Sequence, residues 1–261
     1  MRVVCRLLLA ALVVLAAQPL LAAQLIKVGA YHFPPYVSKP EVEQAQGLLP
    51  NLLSALNAEQ GEYQFVLVPT SVTRRFRDLQ SARYDLIMFE SPSWGWQNTP
   101  HETFDLQVQD AEVYVAKAVA GRGQDYFAQF SGKRMALYSG YHYGFAQFNA
   151  DPEYLTKQFN AVLTYSHDSN LLMVLRERAD LTVVTRSYLH HYLLRYPEQR
   201  PQMLVSERVD QVYRHQALLR PHAPISAQAL RSLLQRLREG GQLSALYRQY
   251  DLTQSRQVAR P

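Results

Sequence analysis

The sequence has little cysteine and none of the short motifs of common hydrolases or metalloenzymes. Cys5 is the only cysteine among 261 residues, so we expect no disulfide and a fold held together by its core. The sequence contains no Gly-x-Ser-x-Gly and no His-Glu-x-x-His motif. His190 and His191 are adjacent, and on a helix they would point about 100° apart, which makes a poor metal pair. We therefore predict neither a metal site nor a cofactor.

The sequence also lacks a large excess of charge of either sign. The formal net charge is +5, and hydrophobic residues make up 48% of the chain. The densest basic segment, 231–238, alternates arginine with leucine, which is typical of a solvated helix face and not of a nucleic-acid-binding surface. We therefore expect no nucleic-acid partner and enough apolar material for one large or two small domains.

The longest apolar run is near the N-terminus and is too short to span a membrane. Arg2 and Arg6 precede an apolar run over 7–17, which is followed by Leu21-Ala22-Ala23. A spanning helix needs about 20 apolar residues, so this layout indicates a secretory signal peptide over 1–23, cleaved near Ala23. Cys5 precedes the run and is badly placed for lipidation. We expect an exported, soluble and cysteine-free mature protein with a net charge of +3, because cleavage removes two arginines.

The segment from 25 to 89 alternates between strand and helix patterns. The expected elements are a strand from Leu25, a helix over Gly47–Asn57 with leucines on one side, a strand over Tyr63–Val68, a helix capped by Ser71 or Thr73 that runs toward Ala82, and a strand over Asp85–Phe89. This alternation is typical of a parallel sheet with right-handed crossovers.

The same alternation begins again at Glu112, and we take Gly121–Gly123, which follows the first strand, as a passage between two lobes. The expected strands are Glu112–Ala118, Arg134–Tyr138, Val162–Tyr165, Asp180–Thr185 and Val212–Leu219. We expect Ser169 or Asn170 to cap a helix that runs to Arg178. Ser226 should cap a leucine-rich helix that ends at Gly240, and a short closing helix should run to Tyr250. Two α/β lobes joined by two strands, near 112–118 and 212–219, would leave a cleft between them.

Aromatic residues follow the first strand at the point where it must end. Pro34 and Pro35 lack backbone N–H groups, so they end the strand ladder and hold the backbone around them extended. Tyr31, Phe33 and Tyr36 therefore lie at the carboxyl end of a strand, where open α/β sheets bind ligands. Ordinary packing in the core is the alternative interpretation for each ring.

Further candidate ligand-binding residues lie in two places, just after the third strand and at the start of the second helix. Glu90, Ser91, Trp94 and Trp96 lie just past the third strand. Arg74 and Arg75 begin a helix, and Arg186 would approach from the second lobe. We expect an aromatic-walled site with one carboxylate and at least one guanidinium, suited to a small polar or zwitterionic molecule. The alternatives are an aromatic cluster that covers the sheet edge, and surface ion pairs for the arginines.

The order of these segments resembles family 3 bacterial extracellular solute-binding proteins, the polar amino-acid-binding type of ABC transporters. In the first lobe the resemblance rests on Ile26–Gly29 leading into Pro34-Pro35-Tyr36, on Gly47 before a leucine-rich helix, and on Tyr84–Ile87. In the second lobe it rests on Asn170–Leu175, on Arg178–Leu181, and on the turn from Gly140 to Gly144, which contains Tyr141 and Tyr143.

The resemblance implies a two-lobed, type II periplasmic-binding-protein-like α/β fold with two doubly wound sheets joined by a two-strand hinge. The implied domains are a discontinuous first lobe (24–115 and 215–253), a second lobe (116–214) and a C-terminal tail (254–261). It also implies a periplasmic monomer that captures a small-molecule ligand and delivers it to an inner-membrane permease. The expected ligand-binding residues are Tyr31, Phe33, Tyr36, Arg75, Glu90, Ser91, Trp94, Trp96, Tyr141, Tyr143 and Arg186.

The chain departs from this family where the family binds the two charged groups of an amino acid. Amino-acid binders usually carry a threonine and an arginine after the third strand, where this chain has Ser93 and Trp96. They usually carry an aspartate after the last strand of the second lobe, where this chain has Arg186. An ordinary α-amino acid is therefore in doubt as the ligand. Two other functions stay open: a soluble ligand-sensing partner of a membrane receptor or cyclase, and a cyclohexadienyl-dehydratase-like enzyme that would pair Glu90 with Arg186.

Overall fold

A computed structural model describes residues 22–254, with the side chains of 253 and 254 left out. The strands are β1 (Gln24–Ala30), β2 (Tyr63–Pro69), β3 (Leu86–Glu90), β4 (Glu102–Lys117), β5 (Met135–Tyr138), β6 (Ala161–Thr164), β7 (Leu181–Thr185), β8 (Met203–Leu219) and β9 (Thr253–Gln254). The α-helices are α1 (Leu48–Glu59), α2 (Arg75–Gln80), α3 (Pro152–Phe159), α4 (His167–Leu175), α5 (Arg186–Arg195), α6 (Ala227–Glu239) and α7 (Gln242–Gln249).

The strands form two parallel groups on either side of two long antiparallel strands. Their order is β2-β1-β3-β8-β4-β7-β5-β6, and β9 pairs with β4. We call β2, β1 and β3 with their connections the first lobe, and β7, β5 and β6 with theirs the second lobe. Within each lobe the strands are parallel, as the crossover pattern of the sequence predicts. The predicted α/β, two-lobed fold class is thereby confirmed.

The hinge strands β4 and β8 are longer than the sequence indicated, since they extend through both lobes. β8 begins at Met203 and not at Val212, and β4 begins at Glu102 and not at Glu112. The hydrogen-bonded ladder is therefore continuous over nine strands, where two separate sheets were expected. The pairing of β4 with β8 is interrupted between Asp105 and Gln109 and shifts register again between Glu112 and Val115. Such bulges bend a strand and weaken its ladder locally.

Helix α1 packs the C-terminal helices onto the first lobe. Leu49, Leu52 and Leu56 are buried at the predicted helical spacing, and α1 contacts both α6 and α7. Ser226 caps α6 as predicted, because its hydroxyl accepts a hydrogen bond from the Ala229 amide. The last part of the chain therefore returns to the first lobe.

The cap of α4 lies earlier than the sequence suggested. Ser166, and not Ser169 or Asn170, accepts the capping hydrogen bond, since its side chain bonds the Ser169 amide. The expected signal peptide lies almost wholly outside residues 22–254. Within that range, no helix is long and apolar enough to cross a membrane.

Candidate functional site

Loops from both lobes meet around one small cavity at the carboxyl ends of parallel strands. Its walls comprise Tyr31, Phe33, Val72, Arg75, Trp94, Glu112, Gly140, Tyr141 and His142. The first-lobe residues follow β1, β2 and β3, the second-lobe residues follow β5, and Glu112 lies on the hinge strand β4. The free volume is about 10 Å³, which is about the space that one water molecule needs. The two lobes are therefore closed against each other here.

Two glycines permit this close approach between the lobes. A Cβ atom on Gly140 would lie 2.6 Å from a methyl group of Val72, and one on Gly95 would lie 2.9 Å from Nε2 of His142. Both contacts cross from one lobe to the other. Both glycines also have positive φ angles, of 83° and 85°, a conformation that other residues rarely adopt.

Two rings of the cavity wall stand nearly at right angles to a third, that of Phe33. Phe33 contacts Trp94 and Tyr141 edge to face, at ring centroid distances of 5.8 Å in both pairs and interplanar angles of 86° and 81°. Phe33 and Trp94 belong to the first lobe and Tyr141 to the second. The sequence predicted all three as ligand-binding residues, and the structure brings them together with Tyr31 and Arg75.

Arg75 lines the cavity, but the protein itself already engages its guanidinium. The side chain is 1% exposed, and its Nη atoms donate to the carbonyl oxygens of Val72 and Trp94. Its Nε lies 3.5 Å from Oε2 of Glu90 in a buried ion pair. Arg75 therefore holds the Val72 and Trp94 loops in place and has a fixed counter-charge behind the cavity wall.

Glu90 is the internal partner of Arg75 and does not line the cavity. It is fully buried, and its Oε2 accepts a hydrogen bond of 2.8 Å from the indole of Trp96. Phe89, with a φ angle of 63°, lies at an irregularity in the pairing of β3 with β8, and such irregularities re-aim side chains. Burial raises the pKa of Glu90, and the charge of Arg75 opposes this rise. The predicted pairing of Glu90 with Arg186 is not formed.

Glu112 is the carboxyl group that faces the cavity. It is 3% exposed, and its Oε2 accepts a hydrogen bond of 2.9 Å from the Gln211 amide. The same amide nitrogen donates to the carbonyl oxygen of His142, and Oε1 of Gln211 accepts from the Trp94 indole at 3.2 Å. Gln211 on β8 thus connects both lobes to the hinge. Burial and the nearby charge of Asp210 raise the pKa of Glu112 well above its usual range.

Several other predicted ligand residues lie in the core behind the cavity. The Tyr36 hydroxyl donates to Asp110 at 2.7 Å, and its ring packs against Phe33 at 4.7 Å. Trp96 is fully buried against Phe76, and the Tyr143 hydroxyl accepts from the Tyr138 amide. Ser91 pairs with the Ser93 hydroxyl. These four side chains support the wall and do not form it.

Arg186 does not line the cavity. Thr185 caps α5, so Arg186 occupies the first turn, and its side chain is exposed. The proposed second-lobe guanidinium is therefore absent from the cavity wall, and a ligand-binding role for Arg186 stays a prediction that the geometry does not support.

Four residues of the wall were not among the predicted ligand-binding residues: Val72, Glu112, Gly140 and His142. Glu112 was assigned only to a hinge strand. The available signal was an acidic residue between the apolar Ala111 and Val113 in a strand, because a carboxylate placed there must be paired or functional. His142 lies in the turn that the resemblance had singled out, and burial lowers its pKa to about 4.

Comparisons with known proteins show similarity of fold only. No protein-family model matches the chain, and no curated protein matches it in sequence. A substrate-binding protein of an ABC uptake transporter from Streptococcus pneumoniae, solved with bound histidine, is 17% identical with a TM-score of 0.69, over 87% of this chain and 92% of that one. An ancestral amino-acid-binding protein, described as a precursor of cyclohexadienyl dehydratase, is 18% identical with a TM-score of 0.62, over 87% and 94%.

A sensor domain has the same fold. A histidine kinase sensor domain with similarity to periplasmic binding proteins is 17% identical with a TM-score of 0.65, over 89% of this chain and 99% of that one. The chain therefore has the two-lobed fold of these solved binding and sensor proteins along nearly the whole of its described length.

Proposed function

We propose that this protein captures a small polar or amino-acid-like solute between its lobes, in the periplasm, and delivers it to an inner-membrane permease of the ABC type. The observation that carries the proposal is the cavity at which the loops after β1, β2, β3 and β5 meet. Ligands of open α/β sheets bind at the carboxyl ends of strands. The fold shared with transporter substrate-binding proteins supports the same function.

The solute would enter by separation of the lobes. The closed cavity has room for about one water molecule, so a solute needs an open form, in which the contacts of Tyr141 and His142 with the first lobe are broken. We place the lobes at 24–115 with 215–253 and at 116–214, joined where β4 and β8 carry bulges. A solute that touches both lobes would favour the closed form through contacts that the open form lacks.

Titration of tryptophan fluorescence tests this proposal. The protein has two tryptophans, of which Trp94 lines the cavity and Trp96 lies behind it. A panel of polar amino acids and small amines should contain at least one compound that changes the emission saturably. The change should persist in Trp96→Phe and be lost in Trp94→Phe. The proposal fails if no compound on the panel changes the emission.

Sensing is the second candidate function, favoured by the shared fold with a kinase sensor domain. In that case the closed protein would dock on a membrane receptor or cyclase. Uptake of the radiolabelled solute in a strain that lacks the gene separates the two functions. Lost uptake supports transport, whereas normal uptake together with a lost transcriptional response supports sensing.

A further inference from the structure

The two charged side chains that line the cavity differ in whether the protein supplies a group of opposite charge beside them. Arg75 and Glu112 are the two ionisable groups of the wall that carry formal charge at neutral pH in water, and both are buried. Arg75 has Glu90 as a counter-charge at 3.5 Å and two carbonyl oxygens as acceptors. The positive charge of Arg75 therefore has a protein counter-charge behind the wall.

Glu112 has no such partner. In the part of the chain that the structure describes, no lysine or arginine forms an ion pair with it, and its hydrogen-bond donor is the uncharged amide of Gln211. Two nearby carboxyls, Asp210 and Asp110, both raise the pKa of Glu112. His142 shares the cavity, and burial lowers its pKa to about 4, so it is neutral near pH 7.

The two neighbouring carboxyls are engaged elsewhere and do not compete for a cation in the cavity. Asp210 accepts from the backbone amides of Gly144 and Phe145 and from the Tyr114 hydroxyl. Asp110 accepts from the side chains of Tyr36 and Ser187. Glu112 is thus the carboxyl that a cationic ligand in the cavity can reach.

The ring arrangement around Glu112 suits an organic cation. The rings of Trp94 and Tyr141 each stand nearly at right angles to that of Phe33, and Tyr31 is a fourth ring of the lining. Aromatic faces attract alkylammonium and guanidinium groups within about 6 Å of the ring centre, and several such faces around one cation form a cage. A buried carboxylate beside aromatic faces is complementary to a positive group with apolar substituents.

We propose that Glu112 recognises positive charge on the solute, so that the ligand carries an alkylammonium or guanidinium group that the rings of Phe33, Trp94 and Tyr141 enclose. The proposal rests on the proposed function, since it identifies the chemical class of solute for the same cavity. It also assigns the hinge strand β4 a part in binding, because the carboxylate that meets the ligand lies on it.

Isothermal titration calorimetry with matched probes tests this assignment. The cationic probes are choline, agmatine and L-arginine, and 3,3-dimethylbutan-1-ol serves as the uncharged counterpart of choline. We expect at least one cation to bind, and 3,3-dimethylbutan-1-ol to bind at least about tenfold more weakly than choline if choline is a ligand. Glu112→Gln keeps an acceptor for the Gln211 amide and should weaken binding of the cation by about thirtyfold or more.

Two further variants separate charge recognition from structural damage. Glu112→Asp keeps the charge and should bind the cation more tightly than Glu112→Gln does. Glu102→Gln, on an exposed position of the same strand, should bind as the wild type does. Thermal melting followed by circular dichroism should show that all three variants fold.

The outcomes distinguish this inference from the proposed function. If 3,3-dimethylbutan-1-ol binds in the cavity while the three cations do not, or if Glu112→Gln binds the cation with full affinity, the assignment of Glu112 is wrong and the binding function stands. If no probe of any charge binds, the proposed function fails together with the inference.

Discussion

Replacement of Arg75 by methionine should destabilise the protein strongly and in a pH-dependent way. Arg75 and Glu90 are 1% and 0% exposed, and the ion pair spans 3.5 Å. At an effective dielectric constant of about 20, two unit charges at that distance attract by about 5 kcal/mol. Removal of one partner of a buried pair leaves the other charge without compensation, so we expect Arg75→Met to lower the free energy of unfolding by about 3 to 5 kcal/mol at pH 7.

The pH dependence of this loss follows from the carboxyl group that remains. Burial already raises the pKa of Glu90, and Arg75 opposes the rise, so Arg75→Met should raise this pKa further. A carboxyl whose pKa is higher in the folded state binds a proton more readily there than in the unfolded chain. Stability of the variant should therefore fall as pH rises from the ordinary carboxyl range through the raised pKa, and the loss should be smaller at about pH 5 than at about pH 7.

Urea denaturation of a second variant tests the explanation. In Arg75→Met with Glu90→Gln, neither position carries a charge, and the amide oxygen can still accept from the Trp96 indole. We expect the double variant to regain about 2 kcal/mol or more over Arg75→Met at pH 7, and its stability to depend less on pH. The reasoning is refuted if both variants unfold at the same urea concentration at both pH values.

Three further predictions follow from other features. Gly47→Ala should lower the free energy of unfolding by about 2 kcal/mol, because its φ angle is 125° and a Cβ atom would lie 2.5 Å from the Tyr36 carbonyl oxygen. The control Gly61→Ala has open space around its Cβ, so equal melting temperatures of the two variants would contradict this account. Asp85→Asn should cost about 1 to 3 kcal/mol in urea denaturation, since Asp85 accepts from Arg220 at 2.7 Å and from the Lys27 amide at 2.8 Å. The control Asp105→Asn removes an exposed pair of 3.9 Å and keeps an oxygen for the Gln107 amide, so it should cost less than about 1 kcal/mol; a reversed order would count against the assignment. Affinity for a cationic solute should rise as the pH rises above the ordinary carboxyl range, because burial and Asp210 raise the pKa of Glu112 and a cation binds its ionised form. Calorimetry in buffers of different ionisation enthalpy should detect proton release on binding, and a pH-independent affinity would refute this.

The fold could be predicted largely from local patterns. The leucine spacing of α1, the cap at Ser226 and the β-rich runs each depend on neighbouring residues, which a sequence displays directly. The lengths of β4 and β8 could not be predicted in the same way. Their polar residues, such as Asp105 and Gln107, interrupt the apolar pattern, because these stretches are partly exposed and bulged.

The candidate site was predicted only in part, because it depends on which buried carboxyl group forms an ion pair with which arginine. Five predicted residues line the cavity: Tyr31, Phe33, Arg75, Trp94 and Tyr141. The sequence offered three cations and one carboxylate as candidates, and it could not show that Arg75 would be neutralised by Glu90. Nor could it show that Glu112, 22 positions further along the chain, would face the rings. Those pairings follow from the register of β3, β4 and β8, which only the folded chain determines.

Distance measurement between spin labels on the two lobes tests the central claim most directly. The only cysteine is Cys5, so after its replacement, labels can be attached specifically at Gln80 and Gln158, which are exposed on α2 and α3. The closed cavity holds about one water molecule, so a solute can enter only if the lobes separate. The account therefore predicts a longer, broader distribution of the distance between the labels without solute. It predicts a single shorter distance on saturation with the compound that titrates Trp94 fluorescence. One unchanged distance in both states would contradict closure of the lobes on a solute.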